Sequence, residues 1–132
     1  MSVEKAKAYF ERSDDPDATI EDVVELFAED AVLKSPREGI FRGRDEVREF
    51  YQLNAEFFAE GAHNMENYFV DGDTVIAEGT IEGKTSAGRE YEGIGLVDVF
   101  EFDGEEFAEL RVYLDYSGIL SELPEDVPDY RE

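Results

Sequence analysis

Apolar positions recur at helical spacing through the first sixty residues and in alternation through the rest, so the chain divides into a helical half and a strand half. Val3, Ala6, Tyr9 and Phe10 fall on one helical stripe, which Ser13-Asp14-Asp15-Pro16-Asp17 interrupts. Thr19 stands where an N-cap is needed for a second helix, with Asp22 in the supporting position and Ile20, Val23, Val24 and Phe27 facing inward. Ala31-Val32-Leu33 predicts a short strand, followed by the turn-prone Ser35-Pro36-Arg37-Glu38-Gly39. A longer helix is expected from about Arg44 to Glu60, with Val47, Phe50, Tyr51, Phe57 and Phe58 on one face and Gly61 at its end. Asn54 lies on that aromatic stripe, either facing a pocket or capping a neighbouring backbone group.

Strands are predicted near Ala62–Val70, Thr74–Thr85, Glu90–Phe102 and Phe107–Tyr116. The hairpin signals Asp71-Gly72-Asp73, Ser86-Ala87-Gly88 and Asp103-Gly104-Glu105 separate them. Three helices and a four-stranded antiparallel meander make an α+β domain with helices on one sheet face. Ser117–Leu123 is expected to form a helical turn, and residues 124–132 a loose acidic tail. In the last strand Leu110, Val112 and Leu114 share one face, while Phe107 and Tyr113 lie on the other. Tyr91, Val97 and Val99 similarly back the strand before it. A sheet apolar on both faces calls for a second cover, here a homodimer through the outer face.

One acid breaks this pattern. Asp98 sits within Ile94-Gly95-Leu96-Val97-Asp98-Val99-Phe100, on the face that Ile94, Leu96, Phe100 and Phe102 share. A carboxylate buried there without a partner stays protonated, and a neutral acid in an apolar pocket donates protons. The alternative is an Asp that simply faces water in a very acidic chain.

That acidity is the second signal. Asp and Glu number 35 against 12 Lys and Arg, a net charge of −23, and the only lysines are Lys5, Lys7, Lys34 and Lys84. Such a surface repels phosphate backbones and anionic lipid, so nucleic acid and membrane are not expected partners. Spread over a chain that is 42% apolar, with 17 Phe and Tyr, the charge points to a folded protein of a salt-rich, halophilic cytoplasm. An acidic protein that docks a basic partner is the competing reading. At 132 residues the chain is one domain, and it has no cysteine for disulfides or thiolate chemistry. The N-terminus shows no signal-peptide pattern and no segment reaches membrane-spanning length, so a soluble cytoplasmic protein is expected.

Several phrases resemble the SnoaL-like, polyketide-cyclase-like branch of the nuclear transport factor 2-like superfamily. They are Phe27-Ala28-Glu29-Asp30-Ala31-Val32, the run from Phe41 to Tyr51, Val70-Asp71-Gly72-Asp73-Thr74-Val75, the run from Val97 to Gly104, and Arg111-Val112-Tyr113-Leu114-Asp115. The resemblance covers roughly residues 3–118. It implies a cystatin-like cone, a strongly bent antiparallel sheet wrapped around N-terminal helices, with a deep apolar pocket for a hydrophobic small molecule. Tyr51, Phe58, Phe27, Leu96, Val112 and Asn54 are the lining residues expected of that pocket. By resemblance to the ketosteroid-isomerase branch, Tyr9 and Asp98 occupy the places of an oxyanion-stabilising Tyr and a protonated Asp, a pairing known as a standard case of a neutral acid that donates a hydrogen bond. The isomerase base, an Asp before Pro, is here Ser35 before Pro36, which cannot shuttle a proton at neutral pH. The epoxide-hydrolase branch expects Tyr, Asn and Asp where this chain has Val32, Lys34 and Val112. The cyclase branch asks mainly for a pocket acid of raised pKa, which Asp98 supplies.

His63 is the single histidine, placed by period two with Met65, Asn67 and Phe69, and is a candidate pocket base or a structural rim residue. Asp115, opposite Leu114 in parity, belongs at the pocket mouth or outside it. Gly83-Lys84-Thr85 lacks the first glycine of a phosphate loop, and Asp71-Gly72-Asp73 lacks the further ligands of a calcium loop. No cofactor or metal is expected. The expectation is cofactor-free acid–base isomerase or cyclase chemistry on a carbonyl compound, with Asp98, Tyr9 and His63 as catalytic candidates. The alternative is a non-catalytic ligand-binding or dimerisation domain of the same fold.

Overall fold

The computed structural model describes residues 2–116; the expected turn at 117–123 and the acidic tail lie outside the described residues. Elements follow in the order α1 (Ser2–Asp14), α2 (Ile20–Val24), β1 (Phe27–Ser35), β2 (Gly39–Arg42), α3 (Gly43–Phe57), β3 (Phe58–Asp71), β4 (Thr74–Thr85), β5 (Glu90–Asp103) and β6 (Glu106–Leu114). One six-stranded sheet has the order β2-β1-β6-β5-β4-β3, parallel between β1 and β6 and antiparallel elsewhere.

Local chemistry explains most boundaries. Thr19 accepts from the Asp22 backbone N–H while the Asp22 carboxylate accepts from that of Thr19, a complete capping box that satisfies two donors at the start of α2. The helix expected to reach Glu60 and stop at Gly61 instead ends at Phe57. Phe58 leaves the helix with φ −101° and ψ 105°, still donating its N–H to the Asn54 carbonyl, and pairs directly with Thr85 of β4. Sheet pairing outweighs helix propensity here, and Gly61 becomes a strand residue opposite Gly83. A Cβ on Gly83 would overlap the Glu60 carbonyl, so the two backbones approach this closely only without one. The strand expected at Ala31–Leu33 runs from Phe27 to Ser35 and gains β2 as an antiparallel partner.

Three bulges redirect side chains that strict alternation assigned to the wrong face. Glu92 and Gly93 together stand opposite Glu82, with Gly93 at φ +66°, which turns Tyr91 inward although it was expected on the outer face. An extra Ala108 in β6 likewise brings Phe107 into the core. An extra Glu66 in β3 separates His63 and Met65 from Asn67 and Phe69, which face outward. The outer face is therefore less apolar than expected. It presents Tyr113 and Phe69 in the open and half-buried Val97 and Val99, among ion pairs joining Arg111 to Glu101 and Glu109 and Lys34 to Glu109.

The core lies between the helices and the inner sheet face. Phe27, Phe100 and Phe107 are completely buried, with Phe27 and Phe107 meeting edge-to-face at 5.1 Å between ring centroids. Each contributes about 1.5–3 kcal/mol of burial. Away from this aromatic centre the space between helices and sheet is not filled, and there the candidate site lies.

Candidate functional site

A cavity of about 590 Å³ opens between α1, α3 and the inner face of β3–β6. Asp98 forms part of its wall. The strand register seats Asp98 between Ala77 of β4 and Val112 of β6, so neither flanking strand offers its carboxyl a side-chain donor. The residue is 2% exposed, and its Oδ1 has no hydrogen-bond partner among the described residues. Burial raises its pKa from 3.8 to about 7, opposed in part by the nearby imidazole of His63. Asp98 therefore faces the cavity, and the solvent-facing alternative is excluded.

Tyr9 reaches the same space from α1 but does not bond to Asp98. Its hydroxyl lies 2.7 Å from that of Tyr51 on α3, and Ser13 one turn on donates to the Tyr9 carbonyl. Burial, then the Asp98 charge, pushes the Tyr9 phenol well above its ordinary pKa; burial does the same to Tyr51. Both phenols are held neutral, as donors. One proton is shared between the two oxygens, so the other hydroxyl hydrogen of the pair remains available to a ligand or to Asp98.

His63 has a partner that sequence reading missed. Asp14, at the last turn of α1, grips β3 twice: Oδ2 accepts the His63 backbone N–H at 2.9 Å and Oδ1 lies 2.6 Å from Nδ1. An acid at a helix C-terminus opposes the helix dipole, so its place there calls for a compensating partner. With Nδ1–H given to Asp14, Nε2 remains as the basic atom of the ring. The Phe10 ring packs 5.1 Å from the imidazole and limits its rotation. The sequence does carry a signal: Asp14 falls four residues after Phe10, on the inner stripe of α1, inside the run that ends the helix.

Of the expected lining residues, Asn54, Tyr51, Phe58, Leu96 and Val112 border the cavity together with Tyr9, His63 and Asp98. Phe27 does not border it. Fully buried against Tyr9, Tyr51 and Phe107, it supports the wall from behind. Tyr91 is an additional lining residue, invisible to alternation because of the Gly93 bulge, although an isolated Gly within a strand pattern is itself a bulge signal. At one end Tyr116 donates to Glu38 at 2.7 Å, and Ser35 donates to the same carboxylate at 2.6 Å. Ser35, in the place of the isomerase base, is thus occupied in anchoring the β1–β2 turn. Among the described residues no three His, Asp or Glu side chains are grouped as metal ligands, and no helix is long and apolar enough to cross a membrane.

The fold has many solved counterparts. A nuclear transport factor 2-like protein of unknown function from Burkholderia pseudomallei superposes with a TM-score of 0.81 at 18% identity, covering 89% of this chain and 93% of that one. A candidate SnoaL-like polyketide cyclase from Jannaschia sp. gives 0.80 at 18% identity, over 89% and 88%. An LEH-like epoxide hydrolase from M. tuberculosis gives 0.72 at 16%, over 89% and 84%. At such identities the likeness shows the fold alone. No curated protein matches the sequence. The profile of the SnoaL-like domain matches residues 6–110, and with the fold in agreement the chain belongs to the SnoaL-like family of nuclear transport factor 2-like α+β proteins.

Proposed function

We propose that the cavity performs cofactor-free acid–base chemistry on a hydrophobic, carbonyl-bearing small molecule, as an isomerase or cyclase. The observation that carries this is an unpartnered buried carboxyl on the wall of a cavity that also holds an Asp-oriented histidine. In the proposed step His63 Nε2 takes a proton from the carbon next to the carbonyl. The C–H electron pair moves to the oxygen, which receives the Asp98 proton, assisted by the phenol hydrogen that the Tyr9–Tyr51 pair leaves free. The enol then takes the His63 proton at the far carbon of a conjugated system, or its carbon attacks a second carbonyl whose oxygen takes the His63 proton as the ring closes. In both outcomes the carbonyl re-forms as the enol O–H proton returns to Asp98, and His63 is left neutral. The candidate cyclase among the fold's counterparts is consistent with this class of chemistry.

The test is deuterium exchange next to the carbonyl, followed by NMR across a panel of cyclic ketones and dicarbonyls. Exchange that falls at least a hundredfold in both Asp98→Asn and His63→Gln supports the assignment. Tight binding without exchange would instead favour a ligand-binding domain, which the bonding of Tyr9 to Tyr51 rather than to Asp98 also fits.

The proposal extends to the setting: a homodimer through the outer sheet face, in a salt-rich cytoplasm. Exposed Tyr113 and Phe69 on that face and the charge of −23 support it. A monomeric mass by light scattering in molar salt would remove the dimer.

A further inference from the structure

We infer that the same cavity is also a binding site for hydrophobic ammonium ions, whose charged N–H groups complete the hydrogen bonding of Asp98. The inference needs Asp98 to line the cavity, and it does not need the protein to be catalytic.

Three observations carry it. First, Asp98 Oδ1 is buried and unpartnered, and an orphaned acceptor on a cavity wall is satisfied either by its own acid proton or by a donor the ligand brings. Second, among the described residues the lining supplies acids without a free cation to balance them. Asp14, Asp15 and Glu60 join Asp98, whereas Arg12 is committed to the Glu25 carboxylate and the Asp22 carbonyl, and His63 to Asp14. An anionic ligand entering this space would meet carboxylates with no counter-charge released to receive it. Third, the remaining walls carry Tyr9, Phe50, Tyr51, Phe58 and Tyr91, whose ring faces favour cations and whose bulk suits a hydrocarbon group.

A ketone and an ammonium ion thus use the two states of one carboxyl. The ketone accepts a hydrogen bond from the protonated acid. The ammonium donates to the carboxylate, so its binding expels the proton that Asp98 carries when the cavity is empty. The titratable groups facing Asp98 are Tyr9 from α1, Tyr51 from α3 and His63 from β3; its neighbours on β4 and β6, Ala77 and Val112, do not titrate. Both phenols stay neutral near neutral pH, so neither supplies the released proton.

Calorimetry with benzylammonium, benzyl alcohol and phenylacetate tests the inference in about 1 M KCl, where a Debye length of about 3 Å suppresses attraction by the protein's overall charge. At about pH 8 benzylammonium is expected to bind the wild type at least tenfold tighter than benzyl alcohol, and phenylacetate weakest. Asp98→Asn should erase that advantage, so that benzylammonium binds the variant no tighter than benzyl alcohol does. Equal affinities in the wild type, or an ammonium preference that persists in Asp98→Asn, would overturn it. A second readout uses the wild type alone. At about pH 6.5, two buffers of different ionisation enthalpy should reveal most of a proton released with benzylammonium and none with benzyl alcohol. No release would overturn the inference, as would release retained in Asp98→Asn, which would assign the proton to another group. Failure of ketone exchange, by contrast, leaves every one of these outcomes unaffected.

Discussion

Replacing Asp98 with Asn should flatten part of the protein's pH-dependent loss of stability. Folding raises the Asp98 pKa from 3.8 to about 7, so across that interval the folded state binds a proton that the unfolded state has released. The stabilisation from this proton is fully present below the unfolded pKa and is lost as pH rises through the folded one. From about pH 5 to about pH 7 the loss is about 1.7 units at about 1.36 kcal/mol each, because the group is already half ionised at its folded pKa, or about 2 kcal/mol. An unfolding entropy of about 2.1 cal/mol/K per residue makes this worth about 8 °C in Tm for a chain of this length. The assay is thermal unfolding of wild type and Asp98→Asn across that range, in constant molar KCl. All other carboxylates titrate alike in both proteins and cancel in the difference. Asp98→Asn should therefore gain on the wild type by about 2 kcal/mol as pH rises, whatever its offset at low pH. Parallel pH profiles would show that the carboxyl is not held protonated by burial, and the site argument would fail with it.

Tyr9→Phe removes one hydroxyl of the buried pair and strands the other, which should cost about 1–3 kcal/mol in chemical denaturation; no change would mean that the pair is solvated. Gly83→Ala forces a Cβ into the Glu60 carbonyl and should destabilise by more than about 2 kcal/mol, while Gly95→Ala, with open space around it, should stay within about 0.5 kcal/mol. Thermal stability should rise from low salt to molar KCl as screening reduces repulsion within a chain of charge −23; a Tm independent of salt would remove the halophilic reading.

Sequence by itself determined what local physics decides. The capping box at Thr19, the hairpins at Gly72 and Gly104, the meander and the inward placement of Asp98 all follow from turn chemistry and period two. Tertiary structure decided what depends on pairing between distant segments. Alternation fails wherever one strand carries an extra residue, and a bulge is set by its partner strand. Hence Tyr91 and Phe107 turned inward, and Phe69 turned outward, against their parity. Phe58 left its helix because β4 offered it a complete ladder. Asp14 and His63, 49 positions apart, became a pair only when α1 packed on β3. The acid was legible because burial is written into its own strand; the pairing of His63 with Asp14 was not, because a contact between two elements is a property of the packing, which neither segment encodes alone.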